Sequence, residues 1–461
     1  MDTYFFRKET PIVDEVEVLV VGAGPSGFPA AIAAARNGAK TLLIERFGCV
    51  GGMATTGLVG PFMTSFDAQG RTQIVRGIFD ELIRRLEEKG GAIHPSKVRG
   101  GSTYSSFIID GHDHVTPFDP EWMKIISADM VLESGARLLL HTQFLDVMKE
   151  ENRVVGVIVA NKGGIQAIRA KVIIDCTGDA DLAFQAGVPF TLGNEKNHKM
   201  MPTTMFFRVG NVDTQRLIDA YLGSENPHRD LMGKPKGGFS WIVSEARRKG
   251  EWELGRNKLG MYETPTSGEW RINTTRIADV DGTNPKDLTK AEIEGRKQAR
   301  TVFEFLKKNI VGYEKAQFMD TGAVIGIRET RHIVGEYVIS IDDVLNGRLF
   351  EDMVLLASNA VDIHAEQGEV DNYQTMYRGS YYSIPYRSLV PLKVENLLVA
   401  GRPISATSEA SSAFRVMTCC VGMGEAAGTA ATLAIQSNQS PRNIDVKKLQ
   451  AQLRAQGVYL G

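Results

Sequence analysis

The chain has 461 residues, 43% of them hydrophobic and 23% charged, with a formal net charge of -2 at pH 7. That length can bury a large core and predicts two or three interleaved domains, while the near-neutral balance gives no bulk electrostatic reason to bind nucleic acid or an anionic bilayer. Four cysteines (Cys49, Cys176, Cys419, Cys420) are too few and too scattered for a disulfide framework, the opening MDTYFFRKETPIVDE lacks the apolar core of a secretory signal, and no later run reads as a membrane span, so the expected location is cytoplasmic with no membrane partner.

The stretch VEVLVVGAGPSGFPAAIAAARNGAKTLLIE predicts a strand, a turn, a helix and a second strand. Val16 to Val21 is an apolar, β-branched run, and Gly22, Gly24 and Gly27 form G-x-G-x-x-G. The Ala-rich segment carries a helix to Gly38, and KTLLIE ends in Glu45. Gly22 permits the tight turn, Gly24 lets backbone approach a pyrophosphate, and Gly27 lets helix and strand pack closely. Pro25 and Ser26 belong to the same turn, where the helix N-terminus offers amides to phosphate. Glu45 stands where an acid accepts hydrogen bonds from ribose hydroxyls. An adenine dinucleotide is expected here, and the motif alone leaves NAD and FAD open.

Directly after Glu45 comes RFGCVGGMATTGLVG, in which Arg46, the pair Gly51–Gly52, Met53 and Ala54 are candidates to continue the cofactor wall. IVRGIFDELIRRLEEKGG has helical spacing at Ile74, Ile78, Leu82 and Leu86, and DPEWMKIISADMVLESGA starts a helix with Asp119 as N-cap and Pro120 at the first position. Between them GHDHV sets His112 and His114 about Asp113, with no Cys/His set elsewhere to complete a metal site, so no metal is predicted. Residues 137–176 read as a small antiparallel meander feeding the buried strand VIIDC. KVIIDCTGDADLAFQAG then breaks at Thr177–Gly178–Asp179 into a helix.

From Pro189 to Phe318 polar stretches and mixed elements predict a substrate or cap domain. Its clearest helix is TKAEIEGRKQARTVFEFLKKNI, with Thr289 and Glu292 as a capping box and Ile293, Val302, Phe303, Leu306 and Ile310 as its buried stripe. Further on, NLLVAGRPISA is an apolar strand ending in Gly401 and Arg402. FRVMTCCVGMGEAAGTAATLA follows, a helix with small residues at nearly every turn.

The glycine motif, the second glycine pair, the CTGD turn and the AGR strand end together resemble the FAD-dependent oxidoreductases of the glutathione-reductase structural class, and within it the succinate dehydrogenase/fumarate reductase-like branch. The resemblance covers the first 60 residues, about 120–190 and about 320–435. It implies an α/β fold: a Rossmann-like FAD-binding domain (parallel sheet with β-meander) from 1–60, 120–190 and 320–435. A mixed α+β substrate/cap domain would come from 61–119 and 191–319, and a tail helix from 436–461. It also implies that Thr177, Gly178, Asp179, Gly401 and Arg402 face the cofactor. No histidine follows Gly52 (the run is Met53–Ala54–Thr55), so FAD is expected to be non-covalent.

In that family the helix corresponding to this small-residue run faces the pyrimidine edge of the flavin, which assigns Arg415, Thr418 and Cys419 to the cofactor and a positive helix end to the reduced ring. Neighbouring Cα atoms lie about 3.8 Å apart, below the usual disulfide span of about 4.4–6.8 Å. Cys419 and Cys420 are also not a CxxC pair, so they are read as small wall residues rather than a redox couple.

Candidates for chemistry come from three further segments. GIRETRHIVGEY offers Arg328, Arg331 and His332, with Arg328 and Arg331 expected on opposite faces of a strand. AVDIHAEQGEV sets His364, a candidate proton carrier, among Asp362, Glu366 and Glu369. YYSIPYRSLVP contributes Tyr386 and Arg387, which border the active site in the related flavoproteins, while Tyr381 and Tyr382 are read as packing. The expected function is hydride transfer between flavin N5 and a small organic substrate, carbonyl- or carboxylate-bearing, with an external electron acceptor or donor. A redox-neutral flavin isomerase or hydratase is the alternative, and a nucleic-acid-associated flavoprotein is disfavoured by charge. Assembly into a homo-oligomer is left open.

Overall fold

The computed structural model describes residues 3–4, 7–106, 113–223, 226–228, 237–364 and 372–461. Strand β1 (Ile12–Val21) is longer than its apolar run: its first residues are exposed and its last four are buried on both faces. Helix α1 (Gly27–Arg36), β2 (Thr41–Ile44), α2 (Ile78–Glu88), α3 (Pro120–Glu133) and β3 (Arg137–Leu139) follow, then β4 (Gln143–Glu150), β5 (Arg153–Asn161) and β6 (Gly164–Asp175). Asp119 caps α3 as expected, its carboxylate accepting from the Trp122 amide at 2.8 Å.

The strands form one mixed sheet in the order β3-β2-β1-β6, with β5 and β4 continuing antiparallel along the first half of β6. The meander is therefore residues 143–175. Residues 137–139, assigned to it from sequence, instead pair in parallel with β2.

After β6 come α4 (Asp181–Gln185), β7 (Phe190–Leu192), β8 (Phe207–Gly210), α5 (Thr214–Leu222), α6 (Ser240–Arg248), β9 (Met261–Glu263), β10 (Trp270–Ile272), α7 (Pro285–Asn309) and β11 (Gln317–Thr321). The second sheet, ordered β11-β8-β10-β9, has its own core around Trp270, Tyr313, Phe207 and Leu306, and is the cap. Helix α7 starts earlier than the sequence suggested. Asn284 is its N-cap, with Pro285 at the first position. Thr289 bonds back to the Pro285 carbonyl, and Glu292 accepts from the Ile325 amide, so no capping box forms there. Ile293 is exposed, and Ala291, Gly295 and Ala299 occupy the buried face instead.

The chain re-enters the first domain through β12 (Arg331–Ile333), which pairs with β7. It continues through α8 (Ile341–Leu345), β13 (Met353–Ala357), β14 (Val361–Ile363), β15 (Asn372–Gln374), β16 (Tyr382–Pro385), β17 (Leu397–Val399), α9 (Ser408–Phe414), α10 (Met417–Gln436) and the tail helix α11 (Val446–Ala455). Two domain limits shift. Residues 61–119 are not all cap: Ile78, Phe79, Leu82 and Leu86 of α2 share one core with α1, α3 and α10. Residues 317–321 belong to the cap sheet, because β11 pairs with β8.

Two contacts fix the relation of these parts. Gly424 and Gly428, one turn apart on α10, lie against α1 so closely that a Cβ would stand 2.0 Å from the Ser26 carbonyl oxygen and 2.1 Å from that of Ala30. The small-residue run is thus a helix–helix seam. Among the described residues α10 is also the helix long and apolar enough to cross a membrane, which corrects the expectation that no run approaches that length. It is buried along 83% of that window, between α1 and the sheet. The second contact is Arg271 on β10, fully buried, whose guanidinium donates to the carbonyls of Val59 (3.1 Å) and Phe118 (2.6 Å) and joins cap to first domain.

Candidate active site

Strand register brings the motifs together. Val21 pairs with Ile44 on one side and Asp175 on the other, and Asp175 pairs with Val399. The residues that follow, Gly22, Glu45, Cys176 and Ala400, therefore emerge along one sheet edge, where open parallel sheets bind their ligands. A cavity of about 970 Å³ opens there, bounded on its far side by the cap. This is the upper end of the usual range for small-molecule sites, as an extended dinucleotide with a substrate requires.

The three motif glycines do different work. A Cβ on Gly22 (φ 95°) would sit 2.5 Å from the Cys176 carbonyl oxygen, and one on Gly27 would sit 1.7 Å from that of Gly22. Those two serve the turn and the strand–helix contact. At Gly24 a Cβ meets nothing within 4 Å, because the position faces the cavity. Gly52 lies across from it, with a Cβ there only 2.7 Å from the Gly24 Cα. Bare backbone on two sides of a groove is a cradle for a diphosphate. Glu45 accepts from the amides of Ala23 (2.7 Å) and Phe47 (2.9 Å), and its carboxylate keeps lone pairs for further donors.

Of the expected cofactor residues, Gly22, Gly24, Pro25, Ser26, Glu45, Arg46, Gly52, Met53, Thr177, Gly178, Asp179, Arg402 and Arg415 line the cavity. Gly27, Gly51, Ala54, Gly401, Thr418 and Cys419 stand behind its wall. Gly51 bonds the Ala23 carbonyl, Gly401 packs on Ser26, Thr418 donates to the Met63 carbonyl, and Cys419 accepts from Asn359. Cys420 takes the wall position instead, and burial pushes its thiol up to about 12. At neutral pH it is an uncharged thiol, unsuited to attack. All four cysteines are free.

Asp179 locks three distant segments together. Its Oδ1 accepts from Thr330 Oγ1 and Arg402 Nη2, both at 2.7 Å, and its carbonyl accepts from Arg331 Nη1 at 2.9 Å. Arg331 also pairs with Asp181 and lies over the Phe184 ring at 4.4 Å. Arg402 is thus an ion-pair partner of the turn as well as a wall residue.

Where cap and first domain meet, the wall turns cationic. Arg328 does not sit on a strand. It precedes β12, is partly buried, and donates to the Pro202 carbonyl. Arg328 and Arg331 both line the cavity rather than facing opposite ways. Arg415, at the joint of α9 and α10, donates to the Asp362 carbonyl at 3.2 Å, and its buried Nε has no hydrogen-bond partner. Burial, then the neighbouring guanidiniums of Arg415 and Arg256, push Arg328 well down from the usual arginine range. Burial lowers Arg415 too, against the opposing pull of Asp362. A guanidinium stays charged under ordinary conditions, so this end of the cavity carries positive charge.

His364 lies on the same wall, its Nε2 3.1 Å from Asp362 Oδ2. Glu366 and Glu369, named with it from sequence, lie outside the described residues. Two catalytic candidates are corrected. Tyr386 is buried away from the cavity, with its hydroxyl on the Pro441 carbonyl at 2.8 Å, and Arg387 pairs with Asp352 at 2.9 Å. His332 is fully buried against Glu329 at 3.1 Å and is not a wall residue. His114 is buried between Arg99 and the Pro95 carbonyl and stacks on Phe66, while His112 lies outside the described residues. The structure also adds cap residues that no motif announced, including Thr204, Tyr262 and Asn273.

Comparison with known proteins bears on this site. A family model described as "FAD dependent oxidoreductase" matches residues 17–453. The chain is 31% identical over 226 residues to the digeranylgeranylglycerophospholipid reductase of Picrophilus torridus, covering 48% of this chain and 53% of that one. It is 28% identical over 186 residues to the thiamine thiazole synthase of Methanococcus maripaludis, covering 38% and 59%. It therefore spans a little over half the length of these curated relatives. Among solved structures, a geranylgeranyl bacteriochlorophyll reductase-like protein from Thermoplasma acidophilum aligns over 96% of this chain and 84% of its own, at 15% identity and a TM-score of 0.45.

Proposed function

The chain belongs to the FAD dependent oxidoreductase family, with FAD as its cofactor, and from that premise we propose that it oxidises or reduces a small organic anion, carboxylate- or carbonyl-bearing, at the flavin. Bound FAD supplies a hydride acceptor or donor at N5. The chain supplies the rest. Gly24, Gly52 and the start of α1 cradle the diphosphate, and Glu45 takes the ribose. Arg328 and Arg415 hold and orient the substrate anion, and His364 holds or moves the proton. The cap closes the far side against water.

The observation that carries this reading is the pair of partly buried arginines on the cavity wall, one with a buried and unpartnered Nε. FAD binding is non-covalent, a reading supported by Met53, Ala54 and Thr55 standing where a histidine would form the link. Within the family we place the chain in the glutathione-reductase structural class and its succinate dehydrogenase/fumarate reductase-like branch. The parallel sheet with its meander, and the glycine pair after Glu45, support that placement. The second electron partner is an external carrier, and the setting is cytoplasmic.

The test is anaerobic. Small hydroxy acids, saturated acids and their uncharged amides are mixed with the oxidised holoprotein, and unsaturated and oxo acids with the reduced one. An acid, and not its amide, is expected to change the flavin's redox state, and Arg415→Met to weaken that substrate by at least about tenfold. Equal reaction of acids and amides would refute an anion site.

A further inference from the structure

Among the described residues, Asp362 is the cavity-wall carboxylate that stands between His364 and Arg415, and its surroundings give it a definite job. Its main chain is tied on both sides: the amide donates to Ser412 Oγ on α9 at 3.2 Å, and the carbonyl accepts from Arg415 Nη2 at 3.2 Å. The carboxylate reaches His364 Nε2 at 3.1 Å and stands 3.9 Å from Arg415 Nη2. The Asp362 side chain keeps 41% of its surface accessible, on the cavity wall, whereas His364 and Arg415 keep 13% and 12%.

We infer that Asp362 is a positioning residue: it fixes the His364 ring and the Arg415 guanidinium in one arrangement, so that proton carrier and anion anchor address the same substrate. The inference rests on the function proposed above, in which His364 carries the proton. A carboxylate on Nε2 holds the ring in rotation and favours its protonated form. The same charge partly neutralises Arg415 and Arg328, and so competes with the substrate anion for them.

Among the described residues, the groups facing Asp362 are His364 just after β14, Arg415 between α9 and α10, Arg328 before β12, and Tyr262 on β9 of the cap, with the Arg256 charge acting on both Tyr262 and Arg328. Burial opposes ionisation of Asp362, but His364, Arg415 and Arg328 outweigh it and hold the carboxyl below the usual range. It is therefore a negative charge at neutral pH. A neutral isostere separates the two roles, because it weakens the hold on imidazolium while unmasking the arginines.

The experiment measures binding of oxalate, an unreactive dianion, to oxidised holoprotein through the flavin's absorbance, across pH, for wild type, Asp362→Asn and Asp362→Glu. Wild-type oxalate affinity is expected to fall as pH rises and the imidazolium is lost. In D362N that fall moves to lower pH, and below it oxalate binds several-fold tighter than in wild type. Turnover of any acid found above drops by about ten- to a hundredfold. D362E, which keeps the charge, returns the pH dependence toward wild type and guards against a folding defect in the first variant.

Unchanged affinity and pH dependence in D362N would overturn the inference. So would weaker oxalate binding with the pH dependence in place, the pattern of a merely structural residue. Oxalate binding that responds to D362N as expected, in a protein whose flavin reacts with no acid, would leave the positioning role standing and remove the proposed function instead.

Discussion

Glu425 is a carboxylate where the sequence shows only a small-residue helix. It points from α10 at the start of α2, where its Oε2 accepts the Ile78 amide at 3.0 Å, and it is 2% exposed. Burial raises it to about 8, with Arg36 and Glu81 the nearby charges. An unfolded glutamate titrates near about 4.3. Between those values the folded chain binds a proton the unfolded chain has lost, so stability falls as pH rises through that window and levels off above about 8. Glu425→Gln keeps an acceptor for Ile78 and removes the titration. Its denaturation midpoint should gain on wild type between about pH 5.5 and pH 8, by up to a few kcal/mol in stability. Parallel curves for the two proteins would show that the site is not protonated in the fold.

At this scale legibility follows chain locality. Gly22, Gly24 and Gly27 were readable because a turn is set by consecutive residues. Tyr386 and Arg387 were misplaced because nearness in sequence to the AGR strand end is not nearness in space: β16 pairs with β13 and leads their side chains to Pro441 and Asp352. Arg328 and Arg415 were named from two segments 87 positions apart, but the carboxylate between them, Asp362, gained its role only from the fold.

Elements pack by what their small residues permit. The α1–α10 seam exists because Gly424 and Gly428 remove side chains where two backbones meet, and Ser26, at the start of α1, is shared between seam and cavity. Gly424→Ala should therefore cost about 1–3 kcal/mol through overpacking and weaken FAD binding in the same step, since the cradle moves with α1. Thermal unfolding and FAD titration of flavin-stripped protein check both. A loss of stability with FAD affinity untouched would separate the seam from the cradle. The composition of α10 announced tight packing but not its partner, because the same pattern suits a neighbouring sheet, a flavin or a second helix. Helix α7 was legible in its middle and misread at its start: Thr289 and Glu292 fit a capping box by type, yet Asn284–Pro285 begins the helix one turn earlier and frees Glu292 to bond Ile325.

The whole molecule consists of a sheet whose strand ends converge on one edge and a cap pinned over that edge. Register does the converging, through Val21, Ile44, Asp175 and Val399. The pin is Arg271, which no motif marked, since a lone arginine in a cap strand reads as a solvated charge until its carbonyl partners at Val59 and Phe118 are known. That four distant motifs meet at one sheet edge was legible in the sequence. The exact seams were not, because α2 and β11 carry ordinary amphipathic patterns that fit either domain.

The most direct test of the central claim, that this edge grips one FAD without a covalent bond, is the flavin content of gently purified protein before and after acid precipitation. One FAD per chain, all of it released to the supernatant, is the result predicted. Protein that carries no flavin and takes up none when FAD is added, or flavin that stays with the precipitate, would contradict it.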